Sequence, residues 1–487
     1  MDNIVDLKRK TVVSLIWKIF EKAASMTVTL VVSIILARLL EPSDYGIISL
    51  TMVFITISIV FVECGFSYAL VQKKDLEEND VYTIFYVSLF VSAVIYTLLF
   101  ICAPFIAAFY DLPQIVPIFR SLGIILFFGS FTSVLGALLQ RELKIRKVFI
   151  ANFSGIVISG IAGIALAVMG AGAWALVAQQ LISKFVTAVI LIIQNKWKIK
   201  MIFSFKKFKL MLPFASKVLF TTLITTAYSQ LRVLIIGKQY NAETLAIYNK
   251  GVQIPSVLAM STDYAVQNVM FSVYSKMQNN TEELKKCVRR TIKMSSFILF
   301  PMMIGIFAMA RPIVIVLLTE KWLGCVPFLQ ITCIVCLTFL VTTACVQSVN
   351  ALGRSDITLK NEIITRIFAA AAIIFSIFVN VYAMAFTAVL ADLLNMTMGL
   401  IAVKKLIDYS PRELLMDILP VLIISIFMGV MIRLLEFLNV QYILLVFIQF
   451  MTGAGVYFLC AWIFKLESFN YLMNTGKEFL KKSEKKT

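Results

Sequence analysis

The chain has 487 residues, 60% of them hydrophobic and 15% charged, with a formal net charge of +18 and a mean hydropathy of +0.91. Soluble domains carry about 25% charged residues, so the composition excludes an ordinary soluble enzyme or binding domain and indicates a polytopic membrane protein. Histidine is absent, which excludes Ser-His-Asp and Cys-His nucleophiles and His-ligated metals; no catalytic residue, metal or cofactor is expected.

The N-terminal MDNIVDLKRK leads into an apolar segment with three internal charges and no small-residue cleavage motif, so it is expected to be retained. A helix needs about 20 residues to cross roughly 30 Å of hydrocarbon. Apolar segments of that length lie near 13–36, 47–71, 81–103, 118–139, 148–169, 174–193 and 213–237, then near 251–273, 292–318, 327–349, 361–380, 384–403, 414–436 and 441–464. The runs are continuous rather than alternating, which predicts helices and not barrel strands. The expectation is an all-α integral membrane protein of about fourteen transmembrane helices.

Basic residues orient these spans. Thirty-two of the 45 Lys and Arg residues fall in the two chain ends and in alternate connections, at Lys8–Lys10, Lys73–Lys74, Arg141–Lys147, Lys196–Lys209, Lys276–Lys293, Arg354–Lys360, Lys404–Arg412 and Lys465–Lys486. The intervening connections hold only Arg38, Arg120, Lys238, Lys250 and Lys321. Cytoplasmic loops retain Lys and Arg, so both termini are predicted to be cytoplasmic and the number of crossings even. The outer connections are short, GAGA at 170–173 being one, and leave no room for an external catalytic domain. The stretch NKWKIKMIFSFKKFKLM at 195–211 interleaves basic and aromatic residues, but it joins two spans, where Trp and Lys anchor helices at headgroups; nucleic acid is not an expected partner.

An offset of 200 aligns ILARLLEPSDYGIISL (35–50) with IIGKQYNAETLAIYNK (235–250), and ALLQRELK (137–144) echoes ALGRSDITLK (351–360). Each pair lies at corresponding connections of two halves. The predicted organisation is two pseudo-symmetric six-helix lobes, 1–200 and 201–410, followed by an added helix pair at 411–464 and a basic cytoplasmic tail at 465–487. Parallel repeats of this kind serve alternating-access transport, with a site near the bilayer midplane.

Eight cations lie inside the spans, where each costs around 2.5–3.5 kcal/mol at a helix centre and is rarely left facing lipid. On the first span Lys18, Glu21, Lys22 and Ser25 share one face by their i, i+3, i+4, i+7 spacing; on the seventh Lys217, Thr221, Thr225, Ser229 and Arg232 form a stripe. The eighth carries Gln253, Ser256, Asp263 and Gln267, the second Thr56 and Glu63, and the sixth Gln180, Lys184 and Thr187. Cations on the first and seventh spans, equivalent under the repeat, suit a cavity that receives an anion. Snorkelling, or pairing with Glu21, is the alternative for Lys18 and Lys22, and pairing with Asp263 or Glu63 the alternative for Arg232. Glu362 with Arg366, Asp392 with Asn395 and Arg433 with Glu436 read as structural pairs, and Cys333 and Cys336 as packing residues within an apolar helix.

The segments ILARLLEPSDYGIISL, GFSYALVQKKDLEENDVYTIFY (65–86), LLQRELKIRKVF (138–149), GAGAWALVAQQL (170–181), LIIGKQYNAETLAIYNKG (234–251), LTEKWLGCVPFLQI (318–331) and NALGRSDITLKNEII (350–364) resemble the polysaccharide transporter family of the multidrug/oligosaccharidyl-lipid/polysaccharide exporter superfamily. Teichuronic-acid and colanic-acid exporter-like members are most similar, over roughly residues 10–410. The resemblance implies a bacterial inner-membrane flippase for undecaprenyl-pyrophosphate-linked oligosaccharide repeat units, with a twelve-helix core in two lobes and two further helices. Many relatives place a carboxylate where this chain has Arg232, so an ion-coupling role does not carry over to that position. On this reading Lys18, Lys22, Lys217 and Arg232 neutralise the headgroup, Thr221, Thr225, Tyr228, Gln253 and Gln267 meet sugars, and Glu63 and Asp263 are candidates for proton or sodium coupling. Expected partners are the lipid-linked oligosaccharide, membrane lipids, and a polysaccharide polymerase and chain-length regulator; a monomer is expected.

Three other readings compete. A multidrug exporter of the same superfamily handles organic cations and is expected to line its cleft with carboxylates and aromatics, against the cationic stripes here. A membrane polysaccharide polymerase or ligase needs a larger outer loop, and a scaffold without transport has no use for a charged interior.

Overall fold

The computed structural model describes residues 24–63, 65–73, 75–438 and 440–469, with the side chains at 264–266 and 268–269 excepted. These residues are helical almost throughout, as the bilayer demands of a backbone that must satisfy its own hydrogen bonds. Contacts divide the chain into two compact units, Met1–Ile247 and Tyr248–Thr487. The first holds α1 (Ala24–Leu39), α2 (Pro42–Glu63), α3 (Phe66–Gln72), α4 (Glu78–Tyr110), α5 (Ile115–Leu122), α6 (Ile125–Arg141), α7 (Ile145–Val168), α8 (Ala173–Asn195) and α9 (Phe205–Gln239). Helix α10 (Ala242–Lys276) crosses the unit boundary. The second unit continues with α11 (Thr281–Ala308), α12 (Ala310–Leu318), α13 (Val326–Ala351), α14 (Ser355–Ser376), α15 (Val381–Ile407), α16 (Pro411–Leu434) and α17 (Tyr442–Ile463).

Thirteen of the fourteen apolar segments read from the sequence coincide with a helix or a helix pair, and the first, 13–36, is helical over its described residues 24–36. Among the described residues eleven helical stretches are long and apolar enough to cross a membrane. The three below that threshold are α1, with 16 described residues, and the more polar α10 and α14. Outward faces are apolar: Phe375 and Phe378 on the α14 end are 78% and 84% exposed, tolerable in lipid and costly in water.

Within the first unit α7 and α8 pack most extensively, and Gly155 lies at their contact: a Cβ there would be 2.4 Å from the Thr187 hydroxyl and 2.8 Å from the Ser183 carbonyl. Small residues of this kind let membrane helices approach when lipid supplies no hydrophobic drive between them. Helices α4 and α6 are joined by a buried hydroxyl pair, Ser92 Oγ and Ser130 Oγ 2.8 Å apart, with Ser92 also 3.0 Å from the Leu126 carbonyl. Helix α9, which opens the expected second lobe, packs against α2, α3 and α4 of the first unit. In the second unit α16 and α17 pack on each other and on α11 and α12.

The repeat is visible in the turns. Helix α1 ends at Leu39 and α2 begins at Pro42, while α9 ends at Gln239 and α10 begins at Ala242, the offset of 200 that the sequence alignment carries. The α6–α7 and α13–α14 turns match at an offset of 210: Lys144 N donates to Leu139 O and Arg354 N to Val349 O, and Leu143 N to Gln140 O and Gly353 N to Asn350 O. Both turns place one residue in the left-handed region, Leu143 at φ 56° and Gly353 at φ 75°, the conformation that closes a helix C-terminus.

Candidate functional site

The stripe read from the sequence on α9 exists as a helical surface. Lys217, Thr221 and Thr225 are exposed, and Tyr228 and Arg232 are half-buried. Thr221 Oγ1 donates to the Lys217 carbonyl and Thr225 Oγ1 to the Thr221 carbonyl, each at 2.9 Å. A hydroxyl that spends its proton on the carbonyl one turn back keeps acceptor lone pairs facing outward, and acceptors are what sugar hydroxyls require. Pro213 lies inside the same helix below Lys217.

Helix α2, which ends at Glu63, packs against α9. The α2–α3 break is made by Gly65, left-handed at φ 66°, where a Cβ would fall 2.6 Å from the Ala215 carbonyl and 2.9 Å from Val218 Cβ on α9. The crossing therefore joins the stretch bearing Glu63 to the stretch bearing Lys217. Helix α8 packs against α2 as well, and the charge of its exposed Lys184 acts on the Glu63 carboxylate. The polar positions predicted on the second, sixth and seventh spans all belong to the first unit. Lys18, Glu21 and Lys22 lie outside the described residues.

Gln253, Asp263 and Gln267 belong to the second unit. Asp263 is buried, and both carboxylate oxygens take neutral donors: Oδ1 from Thr343 Oγ1 on α13, Oδ2 from Gln267 Nε2 one turn along α10. Gln253 accepts from Lys250 Nζ at 3.4 Å, and that ammonium lies 5.8 Å from the centre of the Trp322 ring. Lys250, read from the sequence as a loop cation, is 5% exposed. Trp322 is fully buried, and Gly251 lets α10 approach, since a Cβ there would meet the Cys325 carbonyl at 2.7 Å. Of the structural pairs, Arg366 Nε donates to Glu362 at 2.9 Å and Arg433 pairs with Glu436 at 3.2 Å. Cys333 and Cys336 are buried free thiols.

Two ionic networks escaped the sequence reading. In the first unit the fully buried Asp80 opens α4, with Lys73 Nζ at 2.6 Å, Lys207 Nζ at 3.6 Å and the Glu77 amide at 2.9 Å. In the second, Asp417 on α16 receives a two-pronged contact from Arg289, Nε and Nη2 each at 2.8 Å, with Lys293 at 3.4 Å and the Tyr409 hydroxyl at 3.0 Å. A planar guanidinium matched to a carboxylate is among the stronger charge-assisted arrangements. Tyr409 lies in the α15–α16 turn, where burial first and the Asp417 charge second push its hydroxyl up from the ordinary tyrosine range, so it stays a neutral donor. Lys285 completes the cluster on Glu413 at 3.0 Å. The signal was present: Asp80 and Asp417 are carboxylates flanking or entering apolar runs, each with cations in the connections of its own half.

Residues 35–327 match the family model described as polysaccharide biosynthesis protein. The chain is 20% identical over 444 residues to the lipopolysaccharide biosynthesis protein WzxC of Escherichia coli (strain K12), covering 88% of this chain and 89% of that protein. It is 25% identical over 279 residues to the teichuronic acid biosynthesis protein TuaB of Bacillus subtilis (strain 168), 57% of this chain and 58% of the relative. Among solved structures it resembles the lipid II flippase MurJ in an inward closed conformation, with a TM-score of 0.71, 16% identity, and coverage of 93% of this chain and 98% of that one. An inward-facing multidrug resistance MATE family transporter follows with a TM-score of 0.61, 14% identity, and coverage of 79% and 96%.

Proposed function

The chain belongs to the polysaccharide biosynthesis protein family, a multi-pass membrane protein with a transporter fold, and on that premise we propose that it is a flippase of cell-surface polysaccharide biosynthesis. Its cargo is an undecaprenyl-pyrophosphate-linked oligosaccharide repeat unit, moved across the bacterial inner membrane by alternating access. The fourteen-span count, cytoplasmic termini and the division at 1–200, 201–410, 411–464 and 465–487 belong to the same proposal, as does a monomer working beside a polymerase and a chain-length regulator.

The observation that carries this reading is the stripe on α9, where Lys217 and Arg232 bracket outward hydroxyl acceptors inside a membrane-spanning helix. Burying a pyrophosphate part-way through a bilayer needs compensating cations, and the adjoining sugars need acceptors and an aromatic face, which Thr221, Thr225 and Tyr228 offer. Lys18 and Lys22 are assigned to the headgroup with them, and Gln253 and Gln267 to the sugars. An inside-negative potential assists outward movement of the anion by roughly 2.3 kcal/mol per charge per 100 mV. Glu63 and Asp263 are the ion-coupling candidates: Glu63 faces the charge of Lys184, and Asp263 is held between neutral donors. The fold also serves multidrug transporters, but cations along α9 suit an anionic cargo.

The test is complementation of a flippase-deficient strain with defined lipid-linked repeat units. Lys217→Gln and Arg232→Gln, at normal membrane levels, are expected to reduce translocation about tenfold each, the worth of one charge-assisted hydrogen bond. Wild-type translocation in both single variants and in the double variant rejects the assignment.

A further inference from the structure

The connection between α8 and α9 is a strap fastened along one edge. Lys196, left-handed at φ 50°, ends α8, and residues 197–204 run without helix before α9 begins at Phe205. Helix α4 holds the strap. The Tyr82 hydroxyl donates to the Lys198 carbonyl at 2.6 Å, the Tyr86 hydroxyl to the Lys200 carbonyl at 3.1 Å, and the Ser204 amide to Thr83 Oγ1 at 3.1 Å. Lys200 pairs with Glu78 and Lys207 with Glu77, each at 2.5 Å. Trp197, which the sequence marks as a headgroup anchor, packs into the first unit instead, its ring centre 4.7 Å from that of Tyr82. In an extended chain successive side chains point to opposite sides. Ile202 and Ser204 are half-buried, while Met201 is 96% exposed and Phe203 and Phe205 are each more than half exposed. With Lys200 and Lys207 engaged by glutamates, Lys196, Lys198, Lys206 and Lys209 are exposed along the same stretch.

A row of large apolar side chains held out to water marks a contact surface, and the place of this row identifies what covers it. The apolar runs end near 193 and resume near 213, so the strap lies between two span ends, at the level where acyl chains meet phosphates. Apolar residues interleaved with lysines match both layers at that level, acyl chains and anionic headgroups. We propose that residues 196–210 are an in-plane anchor seated in the surface of an anionic phospholipid leaflet. Met201, Phe203 and Phe205 lie among acyl chains, and Lys198 and Lys206 meet lipid phosphates. Because α4 grips the opposite edge of the strap, the anchor fixes the starts of α4 and α9 at the membrane surface. This goes beyond the flippase reading and does not depend on it.

In an otherwise cysteine-free full chain, Met201→Cys, Phe203→Cys and Phe205→Cys are labelled singly with bimane, with Glu142→Cys in another connection as the control. Each is reconstituted in bilayers of phosphatidylglycerol and phosphatidylcholine. Nitroxide carried on acyl chains is expected to quench the three strap labels more than aqueous iodide does, with the reverse order at Glu142→Cys. Nitroxide on the glycerol lipid should quench Met201→Cys more than the same group on the choline lipid. Lys198→Gln with Lys206→Gln should reduce that preference about fivefold per charge, the worth of one basic residue at a membrane surface. Stronger quenching by iodide at all three strap positions overturns the proposal. Shielding of all three from both quenchers overturns lipid as the occupant, since that is what a partner protein or a second copy of the chain produces. Equal quenching by the two lipids, unchanged by the lysine substitutions, overturns the anionic leaflet as the partner. If Phe203→Cys or Phe205→Cys fails to fold, Met201→Cys, at the most exposed of the three positions, decides alone. Lys217→Gln should leave the quenching pattern intact whatever it does to translocation, so the two readings fail separately.

Discussion

Asp417 shows how much a single carboxylate holds in a membrane protein with few of them. It is 6% exposed and takes Arg289, Lys293 and the Tyr409 hydroxyl at once. Asp417→Asn leaves the cations without their charge partner in a partly desolvated place. Breaking a buried pair costs 3–5 kcal/mol; with Arg289 about a third exposed, we expect about 2–3 kcal/mol, read as a lower apparent melting temperature of the purified protein. Glu467→Gln removes an ion pair to a side chain 79% exposed and should cost less than about 0.5 kcal/mol. Equal losses from the two substitutions contradict this ranking. At this scale the sequence exposes charge but not its partners. Lys217 and Arg232 stand out because cations are rare in apolar runs, whereas Thr343, which holds Asp263 from 80 residues away, is one neutral hydroxyl among many. The sequence neighbours of Lys250 place it in a loop, whereas the structure buries it, with the Trp322 ring centre 5.8 Å from its ammonium.

Elements carry the clearest agreement between sequence and structure, because hydropathy and turn chemistry act locally. The apolar runs are helical over their described residues, the offset of 200 reappears in the α1–α2 and α9–α10 turns, and the second echo, aligned at 214 in sequence, has its matching turn at 210. The packing partners of those helices are not local, which is why the placement of α9 beside α2, α3 and α4 was not legible. Two element-scale predictions follow from glycine positions. A Cβ at Gly46 would lie 1.8 Å from the Ala242 carbonyl, so Gly46→Ala forces the starts of α2 and α10 apart and should lower membrane yield and melting temperature. Gly136→Ala, on α6 with nothing within 4 Å of the new atom, should instead gain about 0.5–1 kcal/mol in helix preference. The repeated turns give a matched pair: Leu143→Gly relieves a left-handed side chain and should stabilise by about 1 kcal/mol, while Gly353→Leu introduces the same strain and should lose about as much. Melting of the two variants against the parent checks the opposite signs.

At the scale of the whole molecule the count of crossings decides the orientation. Eleven stretches qualify by length and hydropathy alone, and an odd number puts the two termini on opposite sides. Adding α1, α10 and α14 gives fourteen and returns both to one side. Polar composition is no argument against α10 crossing, since residues such as Asp263 and Gln267 satisfy each other there, and intramembrane polar groups are tolerated when paired within a bundle. The basic bias favours the larger count: if α10 does not cross, the poorly charged connection before it and Lys276–Lys293 after it fall on the same face, against the rule that retains Lys and Arg on one side. Single cysteines introduced into a cysteine-free background at Ala171, Lys198, Asn241 and Asn279 are to be labelled with an impermeant maleimide in intact cells. Label is expected at Ala171 and Asn241 only, and fluorescent-protein fusions to both termini should be bright in the cytoplasm. Label at Asn279 shows that α10 fails to cross, and a dark fusion at one terminus shows that the number of crossings is odd; either result removes the proposed orientation with both termini in the cytoplasm.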